Sequence, residues 1–100
     1  MAEAAFVGIF PHLMGSPVNI AAFVQLDAAI PNYVLMESNG VDSSPLNEVI
    51  DQPLTLENGY ILVPDRPGIG VQIVEERLAR FPYQPLRLPI ALAADGSVAH

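Results

Sequence analysis

Two residues of this chain can do acid–base chemistry and stand where such residues work. His12 follows the apolar run Ala5-Phe-Val-Gly-Ile-Phe10 and Pro11, and Glu37 follows Tyr33-Val-Leu-Met36. Both runs read as short strands buried on both faces, as in a parallel sheet. In parallel β/α architectures the working residues sit at the carboxyl ends of the strands, which is where both of these fall. An imidazole titrates near neutral pH and can give or accept a proton. With a carboxylate on the neighbouring strand it makes a candidate acid–base site. The plainer readings stand beside this one. A lone histidine after a strand is often a loop residue bonded to a backbone carbonyl, and a lone glutamate there is often a cap or a surface charge.

The elements that must position the pair are equally legible. Gly15-Ser16-Pro17 is a helix start, with serine at the N-cap and proline at the first helical position. Val18 to Ile30 reads as helix, rich in alanine and interrupted only by Asn19, Gln25 and Asp27. Pro31 ends it, and Pro31-Asn32 makes the turn. Strand, helix and strand with short connections form one βαβ unit with an expected right-handed crossover. The helix N-terminus at Ser16-Pro17-Val18 is expected to open onto the same rim, where free N–H groups favour an anion such as a substrate carboxylate.

The rest of the chain divides into a polar, proline-containing linker, 41–53, and a second region, 54–100. Leu54–Glu57 and Tyr60–Val63 flank Asn58-Gly59, a two-residue hairpin signal of type I′. Pro64 to Gly70 is dense turn chemistry, and its Gly-Ile-Gly lacks the third glycine of a dinucleotide fingerprint. Gln72 to Phe81 is expected to be a short helix with Glu75, Glu76, Arg77 and Arg80 on its wet side, Glu76 and Arg80 forming an i,i+4 pair. Asp42, Asp51 and Asp65 read as turn residues, His100 as a loose terminus, and the tail with Pro82, Pro85 and Pro89 as extended.

Composition sets further bounds. Of 100 residues 51% are apolar and 15% charged, so the chain is neither disordered nor a solvated tail. The net charge is −7, lysine is absent, and the four arginines (Arg66, Arg77, Arg80, Arg87) form no cluster. Counterion release therefore offers little drive toward nucleic acid or an anionic membrane surface. No cysteine is present, which excludes disulfides and thiolate zinc sites, and no metal-binding spacing such as HExxH occurs. No apolar run approaches the ~18 residues of a membrane span, and no basic leader precedes it, so the cytoplasm is the expected compartment.

In order and spacing, Pro11-His12, Pro31-Asn32 with Glu37, and Pro64-Asp-Arg-Pro-Gly-Ile-Gly-Val71 resemble the C-terminal end of the enolase superfamily. The similarity is to the mandelate racemase and muconate lactonizing enzyme family, and within it to galactonate dehydratase-like sugar-acid dehydratases. The resemblance implies an α/β fold: the last two strands and intervening helix (1–40) of a modified TIM (β/α) barrel, followed by a hairpin and short helix returning toward a capping domain. It implies that His12 is the general acid or base that protonates a departing hydroxyl. It implies too that Glu37 hydrogen-bonds the substrate carboxylate and stabilises the enolate. A glutamate donates only when it carries a proton, which burial favours. The enediolate formed beside a carboxylate calls for a divalent cation and close donors.

The magnesium that the resemblance implies would be held by carboxylates on upstream barrel strands, since this chain supplies none of the ligands. Such a barrel takes ~250 residues, of which this chain would provide two of the eight strands. The expectation is therefore a C-terminal fragment, inactive alone, of a homo-oligomeric magnesium-dependent dehydratase acting on a sugar acid or other carboxylate. Racemase, epimerase or cycloisomerase chemistry is the alternative within the superfamily. A non-catalytic interaction module is the alternative outside it.

Overall fold

Ser16 starts the longest helix. In a computed structural model, which describes residues 1–41, 43–85 and 91–97, helix α1 runs Pro17–Ala29. The Ser16 hydroxyl accepts the Asn19 N–H, and the Asn19 side-chain oxygen accepts the Ser16 N–H, a capping box with asparagine in the glutamate position. Pro17 occupies the first turn, where its missing N–H leaves nothing unpaired. At the far end Ile30 is extended, as a residue before proline must be, and donates to Leu26 O at 3.1 Å.

Ile20, Ala21, Val24 and Asp27 form the buried stripe of α1, spaced three and four apart. Against it pack Leu13, Val41, Val49, Ile50, Leu54 and Val71. Three of these lie in the stretch read as a polar linker, which carries a 3₁₀ turn at Pro45–Val49 capped by Ser44. Val41, Val49 and Ile50 enter the core, while Leu46 and the prolines stay exposed.

The two segments that flank the helix pair in parallel. Ile9 N–H donates to Asn32 O at 2.8 Å, and Val34 N–H donates to Ile9 O at 3.0 Å. This is a single bridge, Ile9 with Tyr33, rather than two full strands. Ala5 belongs to a preceding 3₁₀ turn, Glu3–Ala5. The expectation of burial on both faces is not met: Phe10 is 60% and Val34 67% exposed. Burial on both faces needs further layers, and no described residues supply them.

The hairpin forms as expected but shorter, with β1 at Leu56–Glu57 and β2 at Tyr60–Ile61. Asn58 (φ 50°) and Gly59 (φ 83°) are both left-handed, as a type I′ turn requires. The expected helix 72–81 is corrected: α2 spans only Glu75–Leu78. Ile73 instead pairs antiparallel with Ile50, because β-branched Ile73 and Val74 suit an extended backbone and Ile50 offers a partner. Nor does Glu76 pair with Arg80, which reaches Glu48 at 3.1 Å. Arg77 donates to the carbonyls of Glu48 and Ile50, satisfying the end of the 3₁₀ turn. Asp51, expected in a turn, accepts the Gln72 N–H at 2.8 Å and pairs with Arg66 at 3.1 Å. Asp42, Arg87, Pro89 and His100 lie outside the described residues.

Two pairs of substitutions test this packing. Gly59 and Gly70 share a φ of 83°, but a Cβ on Gly59 meets nothing within 4 Å while one on Gly70 would lie 2.3 Å from Pro64 Cγ. Gly59→Ala should cost about 1–2 kcal/mol of backbone strain, and Gly70→Ala about 2–4 kcal/mol, read from urea unfolding. The second pair concerns pH. The Gln72 N–H, with the Arg66 charge adding to it, holds the Asp51 carboxyl below its ordinary range. Its stabilisation is present above the unfolded-state pKa and lost as pH falls through the folded value. Desolvation pushes Asp27 up, so its contribution runs the other way, present in acid and lost as pH rises through the folded value. Asp51→Asn should therefore flatten the loss of stability in acid, and Asp27→Asn should raise stability at neutral pH.

Candidate acid–base site

Pro11 shapes the site by lacking an N–H. Continuing the Ile9–Tyr33 register would bring the Met36 N–H to the Pro11 carbonyl. The Glu37 N–H takes that carbonyl instead, at 3.3 Å, one residue further along. The slip places Glu37 beside the residue after the proline. His12 Nδ1 lies 2.5 Å from Glu37 Oε2. The same oxygen accepts the Leu13 N–H at 3.1 Å.

Leu13 is only 3% exposed, so this backbone donor is anchored in the core and fixes the carboxylate from behind. Two asparagines tie the flanks. Asn32 Nδ2 donates to Val7 O at 2.8 Å below the pair, and Asn39 Nδ2 donates to Gly15 O at 3.4 Å above it. The two residues singled out from sequence are thus brought together. Leu13 and Asn39 were not singled out: a backbone donor leaves no mark on residue type, and Asn39 sits in a Ser-Asn-Gly stretch that reads as a breaker.

With Nδ1 engaged, Nε2 is the ring nitrogen left to meet a substrate, and Oε1 is the corresponding carboxyl oxygen. The arrangement can hold the ring in one tautomer and pass a proton through its outer nitrogen. The side chains are 79% and 41% exposed, so these residues alone do not build a water-excluding pocket around the pair.

The expected anion site at the helix N-terminus is largely filled from within. Ser16 and Asn19 N–H groups are taken by each other's side chains, Pro17 has none, and the Val18 N–H remains. No group of three or more His, Asp or Glu able to hold a metal forms among the described residues. Magnesium asks for an octahedron of oxygens, and one carboxylate already holding two donors beside an imidazole does not fit it.

A family model described as enolase C-terminal domain-like matches residues 1–77. A "D-galactonate dehydratase family member" of Streptomyces bingchenggensis is 37% identical over 98% of this chain and 24% of its own length. A "D-galactonate dehydratase" of Variovorax paradoxus is 36% identical over 99% of this chain and 28% of its own. Among solved structures, a mandelate racemase/muconate lactonizing enzyme from Jannaschia sp. CCS1 superposes with a TM-score of 0.74. It is 29% identical, over 86% of this chain and 22% of that one. The chain spans about a quarter of the length of the curated relatives it matches.

The geometry makes a spectroscopic prediction. With the imidazole neutral, Glu37 should hold the proton of His12 on Nδ1, and Glu37→Ala should shift it toward Nε2. Long-range ¹H–¹⁵N correlation spectra of the ring read the tautomer directly.

Proposed function

The chain belongs to the enolase C-terminal domain-like family, and on that premise we propose that it supplies the acid–base pair of a sugar-acid dehydratase. The observation that carries this reading is the contact of His12 with Glu37 at the carboxyl ends of two parallel-paired segments. The dehydratase names of the relatives favour loss of water over racemisation or cycloisomerisation.

In this reading the substrate is a polyhydroxylated carboxylate. Glu37 keeps the Nδ1–H of His12 in place through Oε2, leaving Nε2 to face the substrate. When His12 is protonated, Nε2–H is directed at the departing hydroxyl, so the proton reaches the oxygen as the C–O bond breaks and water leaves. The neutral ring, its outer nitrogen now an acceptor, is ready to be recharged. Glu37 offers Oε1 to the substrate carboxylate; carrying a proton there, it would donate to that carboxylate and oppose the negative charge that builds as the α-proton passes to a base held outside this chain. Magnesium belongs to the proposal only as a requirement of the whole barrel, held by carboxylates outside this chain. By itself the chain, its pair open to solvent, is expected to be inactive.

A second reading, a non-catalytic interaction module, is supported by the apolar side chains left at the surface, Phe6, Phe10, Val34 and Leu35 among them.

The test grafts this chain in place of the matching quarter of the Streptomyces relative and assays a panel of sugar acids with magnesium. The graft should dehydrate one or more of them, and His12→Asn should lower turnover by about a hundredfold or more. A His12→Asn graft as fast as its parent would overturn the assignment.

A further inference from the structure

Asn39-Gly40 lies on the loop that leaves the acid–base pair, and the reaction assigned to that pair makes no use of it. Asn39 is exposed and stands two residues after Glu37. Its Nδ2 donates to Gly15 O at 3.4 Å, which ties this loop to the one that leads from His12 into α1. That bond is longer than a strong amide hydrogen bond, and it is the side chain's one tie among the described residues. The Gly40 N–H makes no hydrogen bond among the described residues. Gly40 has a φ of 102°, and a Cβ there would lie 2.6 Å from Ser43 Oγ, so the loop requires glycine after this asparagine.

An asparagine followed by glycine can react with its own backbone. The next residue's nitrogen attacks the side-chain carbonyl carbon, and the new C–N bond closes a five-membered succinimide. The side-chain nitrogen leaves as ammonia, carrying off the proton of the attacking N–H. Water then opens the ring at one carbonyl or the other, giving aspartate or isoaspartate. Water enters, ammonia leaves, and nothing is oxidised or reduced. The step needs a side chain at the surface, an unpaired N–H on the next residue, no β-carbon to hinder attack there, and a backbone free to bring the two groups together. Of the chain's five asparagines, Asn39 alone meets all four conditions. Asn19, Asn32 and Asn47 precede isoleucine, tyrosine and glutamate. Asn58 precedes Gly59, but the type I′ turn holds it left-handed at φ 50°, closed by the Glu57–Tyr60 and Leu56–Ile61 pairs. Closing a ring on Asn58 would undo that turn, whereas residues 37–40 belong to no helix or strand.

We propose that Asn39 is a self-modification site, converting to aspartate and isoaspartate without an enzyme, and that its conversion unties the rim beside the acid–base pair. The donor to Gly15 O departs with the ammonia, and a carboxylate takes its place against that carbonyl oxygen. A carboxylate and a carbonyl are both acceptors, so the tie between the two loops is replaced by repulsion. Isoaspartate also adds a methylene to the main chain, two residues from the Glu37 N–H that closes the pairing with Pro11. The new negative charge stands on the rim where, on the dehydratase reading, a substrate carboxylate would bind. That last consequence rests on the dehydratase reading; the modification and the untying do not.

The test incubates the unaltered chain in neutral and mildly alkaline buffer and follows both Asn-Gly pairs by peptide mass spectrometry, with isoaspartate read by enzymatic methylation. A parallel sample in guanidinium chloride removes the structure and leaves the sequence. In buffer Asn39 should convert about tenfold or more faster than Asn58, and faster still in alkali. In guanidinium the two should convert at similar rates. Asn58 converting as fast as Asn39 in buffer overturns the proposal, and so does an Asn39 that stays intact in buffer while both convert in guanidinium. The untying is read separately, from NMR spectra of Asn39→Asp beside the unaltered chain. The Ser16 amide and His12 ring signals should move while those of the hairpin stay, and unmoved Ser16 and His12 signals overturn the untying. Neither measurement assays turnover, so a failure here is distinct from a failure of the dehydratase reading, which the graft decides.

Discussion

Pro11 has a carbonyl to offer the neighbouring segment and no N–H, and the candidate site depends on that asymmetry. An unbroken parallel ladder would have carried the register of Ile9 and Tyr33 onward and given the Pro11 carbonyl to Met36. With one rung missing, the second segment advances by a residue, and the Glu37 N–H closes the pairing at 3.3 Å. The backbone of Glu37 is thereby pinned beside Pro11, so its side chain needs only to fold back to meet His12 and the Leu13 N–H. Helix α1 makes this possible by returning the chain over its own length, held at the start by Ser16 and Asn19 and stopped by Pro31.

What was legible in the sequence was what is decided locally. A serine before a proline starts a helix, a proline ends it, and Asn-Gly turns a hairpin, each through backbone preferences that act within a few residues. The βαβ reading and the pairing of His12 with Glu37 both descend from those signals. What was not legible was decided at a distance. Arg80 and Arg77 find partners in Glu48 and Ile50, about thirty residues away, so an i,i+4 reading of the charge run could not see them. Ile73 is extended because Ile50 lies ready to pair with it, and the neighbouring charges of 75–80 gave no hint of that. Asp27 was visible only as a polar interruption of the helix; its place on the buried stripe came from the structure.

The acid–base pair and Asp27 have a physical property in common. At the rim, a histidine and a glutamate face water; on α1, a carboxylate is shielded from water without a hydrogen-bond partner among the described residues. Each lies next to apolar side chains that remain at the surface. The radius of gyration, 17.8 Å, exceeds the ~13 Å of a compact domain of this length, consistent with a core that is continuous but shallow. Electrostatic and hydrogen-bonding interactions strengthen as water is excluded, so added walls would sharpen the acid–base pair.

The parallel bridge also sets an order of events. The hairpin around Asn58-Gly59 joins residues adjacent in the chain and can close within microseconds. The pairing of Ile9 with Tyr33 must wait until the intervening stretch has coiled and turned back, because a long loop has to be ordered before its ends repay the cost. Contacts of that kind close late and open early. The acid–base pair therefore sits on a non-local contact that closes after the hairpin, so proton-transfer geometry would report a stage of folding that the hairpin could not.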